Sequence, residues 1–217
     1  MRVAIDTSTV VCAGLADGDR ILASFSGNHE HVEDLTDSIE RLLSEVDATP
    51  QDISEVVIGV GPGPFTGLRV GIATGQTLAW ALGIVPKGVC SLDVLGLQYA
   101  AVSDVDEYLV ASDARRKELY WAHYRGGVRI GDPQVTAPSE LPKLPVVGPG
   151  AGLYPEQLDV LDAGLALDAG FMAAHAAQLP DVGLEPLYLR KPDAELPKTR
   201  KSTLTSGRLR LPQLGAK

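Results

Sequence analysis

Gly59-Val60-Gly61-Pro62-Gly63-Pro64-Phe65-Thr66-Gly67-Leu68-Arg69 is the stretch on which the fold turns. Before it runs Val56–Val60, all apolar and short, as suits a strand buried on both faces. After it the pattern turns helical as far as about Leu82, where Gly83 stops it. Strand, glycine loop and helix N-terminus in that order are a common frame for holding phosphate. Yet no lysine follows the last glycine, as a Walker loop requires. Pro64 also stands where a dinucleotide fingerprint beginning at Gly59 needs its third glycine. Pro62 and Pro64 carry no N–H and take two donors from any phosphate cradle. The plainer reading is a rigid turn that fixes the entry of the helix.

Upstream, Val3–Asp6, Val11–Ala16 and Ile21–Ser26 read as three consecutive strands, the last two joined by the hairpin signal Asp17-Gly18-Asp19. His31–Val46 then switches period. Leu35, Ile39, Leu42, Leu43 and Val46 fall on one helical face. Downstream, Val85–Val89 is a further strand, and Ser91 is positioned to N-cap a helix over Leu92–Ala101. The second half starts near Asp104. It offers strands at Tyr108–Ser112, Leu119–Arg125, Val128–Gly131 and Val146–Val147, then a glycine loop at Gly148-Pro149-Gly150. An Ala-rich helix over Ala169–Leu179 follows. The order predicts an α/β protein with mixed sheets and helices on their faces, in two related but unequal lobes. The expected division is 1–103, 104–197 and a basic, aperiodic tail at 198–217 read as disordered.

Charge is distributed unevenly. The net formal charge is −9, but Lys198 to Lys217 holds six basic residues and no acidic one. Residues 1–197 therefore hold 13 Lys and Arg against 28 Asp and Glu. An acidic body repels phosphate backbones, so RNA is expected to be reached through a complex and not by this chain alone. Cys12 and Cys90 lie in apolar stretches and read as buried thiols, which favours a reducing cytoplasm. Asp6 interrupts any signal-type apolar stretch, and no apolar run approaches the ~20 residues of a membrane span.

Gly61-Pro-Gly-Pro-Phe-Thr-Gly-Leu-Arg-Val-Gly71 is similar to the GPGSFTGLRIG signature of the TsaB family, with Pro64 in place of the usual Ser. Ala4-Ile-Asp-Thr-Ser-Thr9 resembles the family's first strand and turn. Gly83-Ile-Val-Pro86 with Val89-Cys-Ser-Leu92 resembles its AxGIP…VSSL stretch. Asp113-Ala-Arg-Arg-Lys-Glu-Leu-Tyr120 resembles DARRGEVY, and Pro186-Leu-Tyr-Leu-Arg190 resembles the closing PxYLR. The matches run in order from residue 3 to 190. The resemblance implies an actin-like, Hsp70-like (ASKHA) fold with an intact first lobe and a reduced second one. It also implies a non-catalytic subunit that pairs with TsaD and works with the ATPase TsaE. That machinery places threonylcarbamoyl on the adenosine next to the anticodon of tRNAs reading ANN codons. No cofactor of its own is implied; ATP or ADP is the nucleotide that a surface shared with TsaD would take.

Asp6 and Thr9 sit at the strand turn where ATP-using relatives place a phosphate loop, and Gly61 and Gly63 of the glycine loop are further nucleotide-loop candidates. An Asp there could hold hydrated Mg²⁺, or it could simply brace the turn. The Arg115-Arg116-Lys117 run reads as a solvated turn, or as a contact for an acidic partner or a tRNA phosphate. His29 and His31, two residues apart, diverge on a helix and do not reproduce the HxxxH metal pair of TsaD, so no metal site is expected. Gly67, Gly71 and Gly75 recur every fourth residue and leave a smooth stripe on their helix. One account packs that stripe on the protein's own sheet. The other makes it a docking surface with the His31–Val46 helix, carried by Leu35, Glu40 and Gln76 beside the glycines. On that account the same surface serves a homodimer in isolation and TsaD in the complex. The competing class is an independent small ATP-dependent phosphotransferase or ATPase, which needs both phosphate loops and an adenosine pocket.

Overall fold

The computed structural model describes residues 1–27 and 35–190. The first sheet has the order β3-β2-β1-β4-β5, from β1 (Arg2–Asp6), β2 (Val11–Asp17), β3 (Arg20–Gly27), β4 (Glu55–Gly59) and β5 (Lys87–Val89). The pairs β1–β2 and β2–β3 are antiparallel, whereas β1–β4 and β4–β5 are parallel. The second sheet is built from β6 (Glu107–Asp113), β7 (Leu119–Arg125), β8 (Val128–Thr136), β9 (Val146–Val147) and β10 (Val160–Asp162). Its order, β8-β7-β6-β9-β10, repeats the first strand for strand, with the same parallel and antiparallel pairs.

The halves differ in their helices. In the first, α1 (Leu35–Glu45) connects β3 to β4, and α2 (Phe65–Leu82) connects β4 to β5. In the second, the equivalent connections hold only 3-10 turns at Pro138–Glu140 and Ala151–Leu153. The second lobe is thus reduced in its outer helices and complete in its sheet. Strand β10 is too short to stand out in the sequence.

Strand alternation sorts side chains to two faces. Val3, Ile5, Val11, Ala13 and Leu15 join α1 and α2 in one core on the outer side of the first sheet. Ala4, Cys12 and Ala16 point the other way, into a core shared by both sheets. Two helices fill that shared layer, and they are exchanged. The helix α3 (Ser91–Ala100), which follows the first sheet, packs on β6, β7 and β8; α4 (Ala169–Ala174), which follows the second, packs on β1, β2 and β3. Small residues make the second contact close: the α-carbon of Gly14 lies against the backbone of Ala169 and Gly170, leaving no room for a side chain.

Several boundaries differ from the sequence reading. Ser91 is the first residue of α3, not its cap; the cap position is Cys90. The Ala-rich helix stops at Ala174 and not at Leu179. His175 Nδ1 lies 3.0 Å from the Phe171 carbonyl and the two rings stack, which favours a turn there. Val128–Gly131 extends to Thr136. His29, His31 and the tail from residue 198 fall outside the described residues. Among the described residues no helix is long and apolar enough to cross a membrane.

Candidate functional site

Asp6 ends β1 fully buried, and its carboxylate is occupied from within the chain. Oδ1 accepts the Ser8 amide at 2.7 Å and the Ser8 hydroxyl at 2.6 Å; Oδ2 accepts the Ser91 hydroxyl. Ser91 in turn ties the glycine loop down: its Oγ accepts the Gly61 amide at 3.1 Å, and its amide donates to the Gly61 carbonyl at 2.8 Å. The hydroxyl expected at a helix cap instead locks two loops together. Gly59 lies so close to Asp6 Oδ2 that any side chain at 59 would displace it, and Gly63 backs onto the Ser8 backbone. The structure thus brings Asp6, Gly61 and Gly63 together in a closed knot. Thr9 is half-buried beside it.

Burial also governs the two free thiols. Desolvation, reinforced by nearby Asp6, holds the Cys12 thiol well above its ordinary value. Desolvation, with Asp93 beside it, pushes Cys90 up to about 12.

In front of the knot a cleft of ≈ 400 Å³ separates Gly63–Phe65 from the β6–β7 turn, with Tyr188 and Arg190 along it. Three sequence motifs far apart in the chain therefore line one cleft. Leu187 donates its amide to the Val60 carbonyl at 2.9 Å and so lays the closing segment against the glycine loop. Phe65 and Tyr188 stack at 5.0 Å, and Arg69 lies over the Phe65 ring at 4.0 Å while its Nε donates to the Tyr188 hydroxyl at 3.2 Å. Across the cleft, Arg115, Arg116 and Lys117 are all left-handed, with φ of 61°, 54° and 62°. Such a run costs non-glycine residues roughly 1–2 kcal/mol each. It is held by Asp113 Oδ1, which accepts the Arg115 amide at 2.7 Å, and by Arg190, which donates to the Arg115 carbonyl at 3.2 Å and pairs with Glu118. Sequence reasoning noted the basic run but had no signal for its backbone conformation.

The other sequence-predicted surface lies on the far side of the first sheet. Glu40 and Leu43 of α1 and Ala73, Thr77 and Ala81 of α2 border a groove of ≈ 470 Å³. Glu40 and Gln76 are exposed; Leu35 is buried against the sheet. The glycine row corrects the docking account. Gly67, Gly71 and Gly75 are buried, Gly71 against the Thr7 side chain and Gly75 against Ile58, whose Cδ1 would stand 2.6 Å from an added methyl. Thr7 Oγ1 also donates to the Gly67 carbonyl at 2.8 Å. The small residues let α2 approach its own sheet and leave no stripe for a partner.

Two five-stranded sheets of one order, a closing Asp on each first strand and a cleft between them define a two-lobed protein of the actin-like, Hsp70-like class. Comparison with known proteins narrows this. A family model described as TsaD, tRNA N6-adenosine threonylcarbamoyltransferase, matches residues 25–196. The tRNA threonylcarbamoyladenosine biosynthesis protein TsaB of Bacillus subtilis is 34% identical over 128 residues, 57% of this chain and 54% of that protein. The structure of YeaZ from Pseudomonas aeruginosa superposes with a TM-score of 0.73 at 26% identity, covering 87% of this chain and 99% of that one. The chain belongs to the TsaB/YeaZ family. An uncharacterized protein of Mycobacterium leprae is 39% identical over 217 residues, covering 89% of this chain and 55% of its own length, so here too the match spans about half of the relative.

Proposed function

We propose that this chain is the non-catalytic subunit of a tRNA threonylcarbamoylation machinery, acting by binding and activating a TsaD-like catalytic subunit in the cytoplasm, with a TsaE-like ATPase as the third component. The modified position would be the adenosine beside the anticodon in tRNAs reading ANN codons. The observation that carries this reading is the state of Asp6. A phosphotransferase or ATPase of this fold needs that carboxylate for a hydrated cation and phosphate, yet here Ser8 and Ser91 use both oxygens and Gly61 is tied to the same hydroxyl. Opening such a buried knot would leave several polar groups unsatisfied at about 1–3 kcal/mol each.

The partner surface we assign is the α1–α2 groove, with Glu40 on its wall, Gln76 beside it and Trp80 84% exposed on the same helix. Large exposed aromatics of this kind are typical interface anchors. The same surface would join two copies when the chain is alone, making homodimer and heterodimer exclusive. The test is Glu40→Arg and Gln76→Arg, analysed by light scattering and by co-purification with a TsaD-like chain. Folded variants that are monomeric and fail to restore threonylcarbamoylation support the reading. Variants that still dimerise, still bind and still activate would overturn it.

A further inference from the structure

Among the described residues, cationic side chains gather around the cleft. Of the 13 Lys and Arg before residue 198, five stand in or beside the cleft: Arg69, Arg115, Arg116, Lys117 and Arg190. Asp113 and Glu118 offset part of that charge through Arg115 and Arg190. The β6–β7 turn nevertheless presents three successive exposed basic residues in a backbone conformation unfavourable to each. Opposite them lie two aromatic rings that are 46% and 38% exposed, Phe65 and Tyr188, beside a guanidinium. Exposed rings facing a basic rim are the elements by which proteins hold unpaired nucleotides: bases stack, and phosphates meet Arg and Lys.

We propose that this cleft is a contact site for an unpaired segment of RNA, a base meeting the Phe65–Tyr188 rings and the adjoining phosphates meeting Arg115, Arg116 and Lys117. The inference rests on the reading above, in which RNA is the substrate of the assembly. Two observations favour a strand over a free nucleoside triphosphate. The interior carboxylate that would hold a cation-bound polyphosphate is already occupied by Ser8 and Ser91. The cations sit on the exposed rim, where a backbone passing along the surface reaches them. The sequence continues the same charge: from Arg190 on the cleft wall it runs into residues 191–217, with seven basic residues against Asp193 and Glu195.

The experiment uses the full chain assembled with its TsaD-like partner and a fluorescent anticodon stem–loop RNA. Affinity is measured against salt by anisotropy for wild type, Phe65→Ala and the double variant Arg116→Glu/Lys117→Glu. The double variant should bind roughly tenfold or more weakly, with a salt slope lower by about one to two. Phe65→Ala should weaken binding about tenfold with the slope unchanged. Co-purification of both variants with the partner should be intact, which separates loss of this site from loss of the assembly. Should the wild-type chain fail to assemble at all, the proposed function falls, and the same titrations on the chain alone still decide the cleft. Unchanged RNA affinity in both variants would overturn the inference. So would loss of ATP or ADP binding with RNA affinity unaltered, because the cleft would then hold free nucleotide.

Discussion

Asp6 and Asp113 hold the same place in the two halves of the molecule. Each ends the first strand of its sheet, and each accepts the backbone amide two residues on, Ser8 and Arg115, at 2.7 Å. Their surroundings have diverged. Asp6 is sealed in by Ser91 and Gly59, whereas the side chain of Asp113 is 32% exposed and pairs with Arg115 at 3.1 Å. Asp6→Ala should therefore cost about 3 kcal/mol or more, because buried donors on Ser8 and Ser91 lose their acceptor. Asp113→Ala should cost nearer to 1 kcal/mol. Urea denaturation of the two variants measures the difference; equal losses would mean that the Asp6 knot contributes no more than a surface turn.

A methyl at position 71 tests the inward glycine row. On an isolated helix Gly→Ala gains about 1 kcal/mol. Here Gly71→Ala should destabilise by about 1–3 kcal/mol, because the new methyl meets Thr7 and overpacks the contact. Adding Thr7→Ala should recover part of the loss, although it also removes the bond to Gly67. A thermal-melt double-mutant cycle checks this. A stabilised Gly71→Ala would show that α2 does not lie against the first sheet.

The link between α3 and the second sheet is ionic as well as apolar. Asp93 Oδ1 accepts from the Tyr124 hydroxyl at 2.7 Å and from Arg129 Nε at 2.8 Å. Among the described residues Oδ2 is buried without a partner. Arg129→Met should cost about 2–4 kcal/mol, since it strands a carboxylate that is 4% exposed. Asp93→Asn in the same chain should restore part of that stability. Chemical denaturation of the cycle reads the coupling, and additive losses would mean that the pair is not coupled.

Alkaline pH bears on the buried thiols. Burial raises Cys90 to about 12 from an ordinary 9.0. Its folded pKa lies above its unfolded one, so the associated stability is fully present below about pH 9 and is lost as the pH rises through about 12. Cys12, raised by burial in the same direction, adds to the loss. Native protein at pH 8 should resist iodoacetamide at both cysteines, whereas unfolded protein should take two labels by mass spectrometry. Rapid native labelling of either would show that its pocket opens.

Much of the architecture was legible because period and punctuation carry it. The strands of the first sheet, the β7–β8 hairpin and the end of α2 at Gly83 follow from alternation, glycine placement and apolar runs. The direction of the glycine row did not follow, because a stripe of small residues looks the same whether a sheet or a partner lies on it. Ser91 was misplaced by one residue. Its local pattern suits a cap, while its hydroxyl answers to Asp6, 85 positions away. The cleft was legible only as three separate motifs; the backbone bond from Leu187 to Val60 that brings the last against the first leaves no mark in the composition.

The exchanged helices have a consequence during synthesis on the ribosome. When the first hundred residues have emerged, the first sheet still lacks the cover for its inner face, and α3 still lacks the strands it packs against. That cover is α4, Ala169–Ala174, close to the end of the described chain. The nascent protein therefore exposes Ala4, Cys12 and Ala16 on one side and Leu92, Leu95 and Tyr99 on the other until the second sheet and α4 have emerged. A message cut short after the first lobe would yield a sticky fragment and not a smaller working protein. The half that looks complete by its own elements depends for its finish on the half that has lost its outer helices.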